Sequence, residues 1–292
     1  MHAKINGTTI YFDVEGAGLR QGHGKLDEKP VIVALHGGLG LDHGYLRHGV
    51  GALRDDAQVI YVDMRGQGRS ARADLATCSL EQMADDVAAL CELLSIDRAF
   101  LLGHSAGGFV AMHAALRHPA LVAGLMLCGS SPTVRPLLDD PNDPAPTLAG
   151  RAGAQELAVA TRLFSGEVTL ESVNAFFAAV GPYYLAPANM HLFEQVFKPT
   201  TITIEMMQHF MGKIAPTYDL LRDLERIKAP TIAMVGRHDW VCPPRASRAI
   251  ARGIPGAQLV EFNESGHFVF SEEPAKFRDT VTDFVTQHCA RP

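Results

Sequence analysis

Hydrophobic positions along this 292-residue chain gather in short runs closed by turn residues. Six stand out: "PVIVALHGG" (30–38), "AQVIYVDMRG" (57–66), "RAFLLGHS" (98–105), "GLMLCGSS" (124–131), "APTIAMVGRHD" (229–239) and "AQLVEFNESGH" (257–267). Runs so apolar and so short predict strands buried on both faces. Between them the period changes. In "SLEQMADDVAALCELLSI" (79–96), Met83, Val87, Leu90 and Leu94 recur at helical spacing, and Ser79 with Gln82 resembles a capping box. Helices are likewise expected in "AGGFVAMHAALRHP" after Ser105, in "YDLLRDLERI" before the fifth run, and in the C-terminal "PAKFRDTVTDFVTQHC". The N-terminal "MHAKINGTTIYFDVEG" alternates as a strand does. Strands alternating with helices predict an α/β fold, with a mostly parallel central sheet covered by helices on both faces.

The rhythm fails between Ser131 and Lys228. A proline-rich linker, "SSPTVRPLLDDPNDPAPTLAG", leads into helical patterns such as "GAQELAVATRLFSG", "TLESVNAFFAAVG" and "NMHLFEQVFK". "TTITIEMM" fits either period and is read as part of a helix. The expected organisation is a core of residues 1–130 and 229–292 with a helical cap, 131–228, inserted into it.

Composition narrows the class. With 47% hydrophobic residues the chain can bury a large core. Its five cysteines are scattered and lack metal or C-x-x-C spacing, which suits a reducing compartment. A formal charge of −6 gives no basic patch for nucleic acid, and no apolar run reaches the roughly 18 residues of a membrane span. No secretory or transit pattern opens the sequence. The expectation is a cytoplasmic protein, monomer or homodimer, acting on a small molecule, with neither nucleic-acid nor membrane partner.

The candidate chemistry collects at the ends of the expected strands, where open parallel sheets place their ligand crevices. "LLGHSAGG" has the Gly-x-Ser-x-Gly pattern of a nucleophile elbow around Ser105. A serine hydroxyl is protonated at neutral pH and needs a base, the role expected of His267. A carboxylate on the other ring nitrogen fixes the tautomer, and Asp239 ends the fifth strand. The backbone N–H groups of Gly38 and Ala106 are the candidate oxyanion hole. Asp63 also ends a strand, but is read as structural, holding the Arg65–Ser70 turn. His36, Leu39 and Trp240 are candidates for contact with substrate, and His36 is expected to brace the oxyanion loop rather than move a proton. His43, His104 and His238 are read as local structure, Cys242 as a buried small residue, and the glutamates at 156, 167, 171, 194 and 205 as solvated helix faces. No metal-ligating spacing occurs, and no cofactor is called for.

Taken together, "HGG", "DMRGQGRS", "GHSAGG", "GRHD" and "SGH" resemble the α/β-hydrolase superfamily over nearly the whole chain. The order Ser105, Asp239, His267 is the one that family uses. "HGGLGLDHGYL" and "DMRGQGRS" are similar to the proline iminopeptidase branch, whereas the "GHSAGG" elbow is closer to esterases, lactonases and carbon–carbon bond hydrolases. Leu39 replaces that branch's proline, and Trp240 follows Asp239 where many of those aminopeptidases carry an acid. The resemblance implies an α/β-hydrolase fold with an inserted cap and a serine hydrolase of carboxylic esters or lactones. An aminopeptidase and a non-enzymatic small-ligand receptor are the alternatives. Ser105 argues against relatives with an aspartate nucleophile, such as haloalkane dehalogenases and epoxide hydrolases.

Overall fold

The apolar runs build one sheet. In the computed structural model, which describes residues 1–21 and 26–289, the strands are β1 (His2–Ile5), β2 (Thr8–Glu15), β3 (Leu19–Gln21), β4 (Leu26–Glu28), β5 (Val31–Leu35), β6 (Gln58–Asp63), β7 (Ala99–His104), β8 (Val122–Cys128), β9 (Thr231–Gly236) and β10 (Gln258–Phe262). Eight of them form the main sheet in the order β1-β2-β6-β5-β7-β8-β9-β10, while β3 and β4 pair separately. All six strands expected from the apolar runs are present and pair in parallel, but β10 is not buried on both faces as expected: it is the edge strand, with Gln258 and Leu259 exposed and only Phe262 fully buried. The alternating N-terminus supplies the antiparallel edge, β1 on β2 and β2 on β6.

Side-chain alternation sorts the core into two layers. From β5, Val33 and Leu35 join one buried cluster with helices Leu80–Leu93 and Ala106–Arg117. Ile32 and Ala34 join the other, with helix Pro274–His288. Both faces of β5 are thus dry, which is why its sequence shows no polar alternation.

Segment 131–228 is helical where it is regular, with helices Ala154–Phe164, Leu170–Ala179, Phe193–Phe197 and Ile204–His209. "TTITIEMM" accordingly runs into a helix. Leu163, Val173, Phe176 and Val196 are buried in the same cluster as Ile32 and Met234, so this segment packs continuously onto the sheet.

Two local expectations require correction. Ser79 does accept the Gln82 N–H (3.1 Å), but the Gln82 amide reaches Asp86 (3.3 Å) instead of returning to Ser79, so the capping box is half-made. "YDLLRDLERI" forms only a 3₁₀ turn at Leu224–Arg226. The cause is non-local. Tyr218 stacks on Phe109 at 4.0 Å and donates to the Ser131 carbonyl (2.9 Å), while the Leu220 N–H donates to Pro132 (2.8 Å). These contacts hold the start of the segment extended against the chain leaving β8, overriding its helical propensity.

Among the described residues no helix is long and apolar enough to cross a membrane.

Candidate active site

In this sheet the chain steps from β5 outward to β6 and then returns to the other side at β7, so the switch point lies between β5 and β7. A crevice for ligand is expected beyond their C-terminal ends. The loop 36–40 leaves β5 there, and Ser105 leaves β7.

Ser105 connects β7 to helix Ala106–Arg117 with φ +53° and ψ −123°. For a non-glycine residue this conformation costs about 1–3 kcal/mol and persists only where the surroundings impose it. Its N–H donates to the Cys128 carbonyl (2.9 Å), and its own carbonyl accepts from the Ser130 hydroxyl (2.8 Å). The glycines of the motif follow from close approach. A Cβ on Gly107 would lie 2.2 Å from the Leu35 carbonyl oxygen and 2.6 Å from that of His36. Only glycine lets the helix N-terminus sit this close to β5.

Facing Ser105, Gly38 holds the loop after β5 at φ +53°, and its N–H makes no hydrogen bond among the described residues. Ala106 occupies the first helical position, where an N–H has no intrahelical acceptor. Gly38, Ser105, Ala106 and His267 line one cavity of about 720 Å³. His36 stands behind the loop. Its Nε2 accepts the Met64 N–H (3.2 Å), which leaves Nδ1 to donate to the Gly37 carbonyl (3.1 Å). It is fully buried and does not line the cavity, whereas Leu39 and Trp240 do. The expected contact of His36 with substrate therefore has no counterpart in the cavity wall, while its bracing bonds are present.

Asp239, which follows β9, and His267, which follows β10, meet through His267 Nδ1 and Asp239 Oδ2 at 2.7 Å. Asp239 Oδ1 accepts the N–H groups of Val241 (2.8 Å) and Cys242 (2.9 Å), so its second oxygen stays aimed at the imidazole. Cys242 lines the cavity beside Ser105 and Asp239. Burial, with the Asp239 charge adding, pushes its thiol well above the ordinary range, against a hydrogen bond from Ser105.

Asp63 is not part of this group. It accepts His43 Nδ1–H (2.6 Å) and the Arg69 N–H (2.9 Å), and its carbonyl takes the Ser70 hydroxyl, so it ties the Arg65–Ser70 turn as expected. Burial alone would raise its carboxyl, but the bond from and charge of His43 hold it below the usual range. The glutamates at 156, 167, 171, 194 and 205 do not line the cavity, and no group of three or more His, Cys, Asp or Glu side chains among the described residues is arranged to hold a metal ion.

Sequence reasoning missed Glu272. Its Oε1 accepts the N–H groups of Gly266 (2.8 Å) and Phe268 (3.2 Å), on either side of His267. Its Oε2 accepts those of Ala186 (2.7 Å) and the Asn189 amide (3.2 Å). One carboxylate thus joins the His267 loop to segment 131–228. Arg151 was missed too. It donates to the carbonyls of Tyr183 (3.0 Å), Leu185 (2.7 Å) and His238 (3.3 Å), pinning the same stretch to the Asp239 loop. Nothing in the local pattern of either residue marks it.

The buried histidines make stability depend on pH. Burial lowers the imidazole of His36 and pushes that of His104 well below its ordinary value. The unfolded chain takes up protons on both from about pH 6.5 downward and the fold only at lower pH, so their contribution is intact above that pH and is lost on acidification. The slope is up to about 1.4 kcal/mol per pH unit for each. Urea unfolding is expected to show stability falling by about 1 kcal/mol or more from pH 7.5 to 5.5; a flat or rising profile would contradict this assignment.

Comparison with known proteins agrees with the geometry. Residues 30–274 match the family described as alpha/beta hydrolase fold. The proline iminopeptidase PfmaB of Pestalotiopsis fici is 25% identical, with 98% of this chain and 97% of the relative covered. The AB hydrolase superfamily protein YisY of Bacillus subtilis is 29% identical, covering 90% and 92%. The crystal structure of the enol-lactonase from Burkholderia xenovorans superposes with a TM-score of 0.74 at 25% identity, over 98% of this chain and all of the other (100%). A switch-point crevice in this sheet order and relatives matched end to end lead to one conclusion: the chain belongs to the alpha/beta hydrolase family and is a hydrolase.

Proposed function

We propose that the protein hydrolyses a small-molecule carboxylic ester or lactone through an acyl-serine intermediate, with Ser105, His267 and Asp239 as the triad and residues 131–228 as the cap over it. His267 Nε2 takes the Ser105 Oγ proton as Oγ bonds to the carbonyl carbon, and the carbonyl electron pair moves onto oxygen. The N–H groups of Gly38 and Ala106 stabilise that oxyanion. Its collapse breaks the bond to the leaving alkoxide, which receives the proton from His267. Water then repeats the sequence on the acyl-serine, His267 taking its proton and returning it to Ser105. Asp239 holds the imidazole tautomer throughout.

One observation carries this choice of substrate class: no carboxylate lines the cavity among the described residues. Its wall is aromatic and aliphatic, including Phe109, Phe176, Phe177, Phe197 and Trp240, and its only arginine or lysine residues are Arg135 and Arg245. An aminopeptidase must hold a protonated amine, and an ammonium left unpaired against apolar walls costs several kcal/mol. An apolar acyl or lactone group meets no such cost. The sequence likeness to a proline iminopeptidase keeps the peptidase as the second reading, but Trp240, its ring N–H given to the Tyr183 carbonyl (2.9 Å), supplies no anion beside Asp239.

At one pH near neutrality, p-nitrophenyl esters and homoserine lactones are expected to be turned over with kcat/KM at least about tenfold above that of proline p-nitroanilide. A proline anilide preferred over every ester and lactone would reverse the assignment and make Glu194 and Glu205 the first residues to replace. Absence of both turnover and labelling by a fluorophosphonate would favour a ligand receptor on this fold.

A further inference from the structure

Two buried side chains outside the triad connect its parts. Tyr45, in the turn after the loop leaving β5, has its phenol oxygen 2.6 Å from the Gly37 nitrogen and 2.8 Å from His104 Nδ1. His104, the last residue of β7, has Nε2 at 2.9 Å from the carbonyl oxygen of His267. The direction of every bond in this chain is determined. The His267 carbonyl can only accept, so His104 carries its proton on Nε2. The Gly37 N–H can only donate, so the Tyr45 oxygen accepts it and turns its own hydrogen to His104 Nδ1. The imidazole is neutral, as its burial requires, and each group has the partner it needs.

The two ends of the chain matter more than its middle. One end is Gly37, whose neighbour Gly38 supplies an oxyanion donor in the proposed mechanism. The other is the main chain of the proposed base. Between them the His104 ring packs at 4.6 Å from the His267 ring and at 5.4 Å from both Tyr45 and Phe268. Gly37 lies so close to Ser105 that no side chain fits between them: a Cβ there would lie 2.6 Å from that of the serine.

We infer that Tyr45 and His104 form a hydrogen-bonded strut that sets the distance between the oxyanion loop and the general base across Ser105, so that both are positioning residues for the transition state. The inference rests on the proposed triad. Tyr45 and His104 also line the cavity, but most of its apolar wall comes from other side chains, so loss of the strut is to be read in the chemical step, where displaced donors and a displaced base weaken transition-state contacts.

The test compares Tyr45→Phe, His104→Leu and His104→Gln with the unsubstituted protein on a p-nitrophenyl ester. Rates are expressed per chain labelled at end point by a fluorophosphonate, which removes any unfolded fraction from the comparison. Labelling of the unsubstituted protein on Ser105 tests the triad reading, and its failure overturns both proposals. Given that labelling, Tyr45→Phe and His104→Leu are expected to lower kcat roughly 10- to 100-fold with KM within about twofold. His104→Gln, whose amide offers one donor and one acceptor, is expected to recover most of the loss. If kcat per labelled chain is unchanged in Tyr45→Phe or His104→Leu, if the change falls on KM, or if glutamine is no better than leucine, the strut is refuted. Should Tyr45→Phe not fold, the leucine and glutamine pair decides.

Discussion

Ser105→Ala is expected to lower kcat for ester hydrolysis by roughly 10⁶-fold, the loss seen when a catalytic serine is deleted from an intact hydrolase site. The protein should remain folded. The bonds that shape the elbow, from the Ser105 N–H to Cys128 and from the Ser130 hydroxyl to the Ser105 carbonyl, involve only the main chain of residue 105. Alanine keeps both and keeps the strain of φ +53°. Glycine relieves that strain, so Ser105→Gly should be equally inactive yet more stable by about 1 kcal/mol in urea unfolding. This pair separates chemistry from folding: one variant is neutral in stability and the other favourable, and both are without activity. Either of them retaining more than about a hundredth of the original kcat would remove Ser105 from the mechanism.

Asp239→Asn should cost about 10⁴-fold in kcat. The direction of one proton is the reason. Asp239 Oδ1 accepts the Val241 and Cys242 N–H groups, and Oδ2 accepts from His267 Nδ1. In asparagine the amide oxygen is retained by the two backbone donors, which leaves the NH₂ group facing Nδ1. That nitrogen must then accept, the proton moves to Nε2, and the imidazole can no longer take the serine proton. Because the oxygen-bound backbone contacts survive, the fold should persist with a loss of about 1–3 kcal/mol for the altered buried bond. The measurement is kcat on one ester at neutral pH together with the urea midpoint. A folded variant within tenfold of the original kcat would show that Asp239 does not orient the base.

Most of the strands were legible because a strand buried on both faces reads as a short unbroken apolar run between turns, too short for a buried helix; β10, at the sheet edge, is exposed at Gln258 and Leu259 and was legible from its length and flanking turns. The tight turn at Ser105 and the meeting of His267 with Asp239 were legible because each residue sits at the end of such a run, with glycines marking the turn. What could not be read depends on contacts between distant segments. "YDLLRDLERI" has helical spacing, but Tyr218 is held by Phe109 and Ser131, which no local window contains. Glu272 and Arg151 look like ordinary charged residues until the fold brings the His267 loop, the Asp239 loop and residues 183–189 together around them. Tyr45 reads as one aromatic in a turn, and only the placement of β5 beside β7 puts it on His104. His36 was legible in part. Its bracing of the loop after β5 is present in the bonds to Met64 and Gly37, but with both ring nitrogens so engaged it does not reach the cavity as a candidate for substrate contact would.

The proposed mechanism passes through one covalent bond, between Ser105 Oγ and the group being transferred. Titration with a fluorophosphonate, followed by mass spectrometry of the digested protein and by ester hydrolysis on the same samples, tests it most directly. The expected result is one adduct per chain, on the peptide that carries Ser105, with activity falling in proportion to labelling and reaching zero at one equivalent. Full occupancy of Ser105 with hydrolysis undiminished, or activity lost to an adduct on another residue, would contradict it.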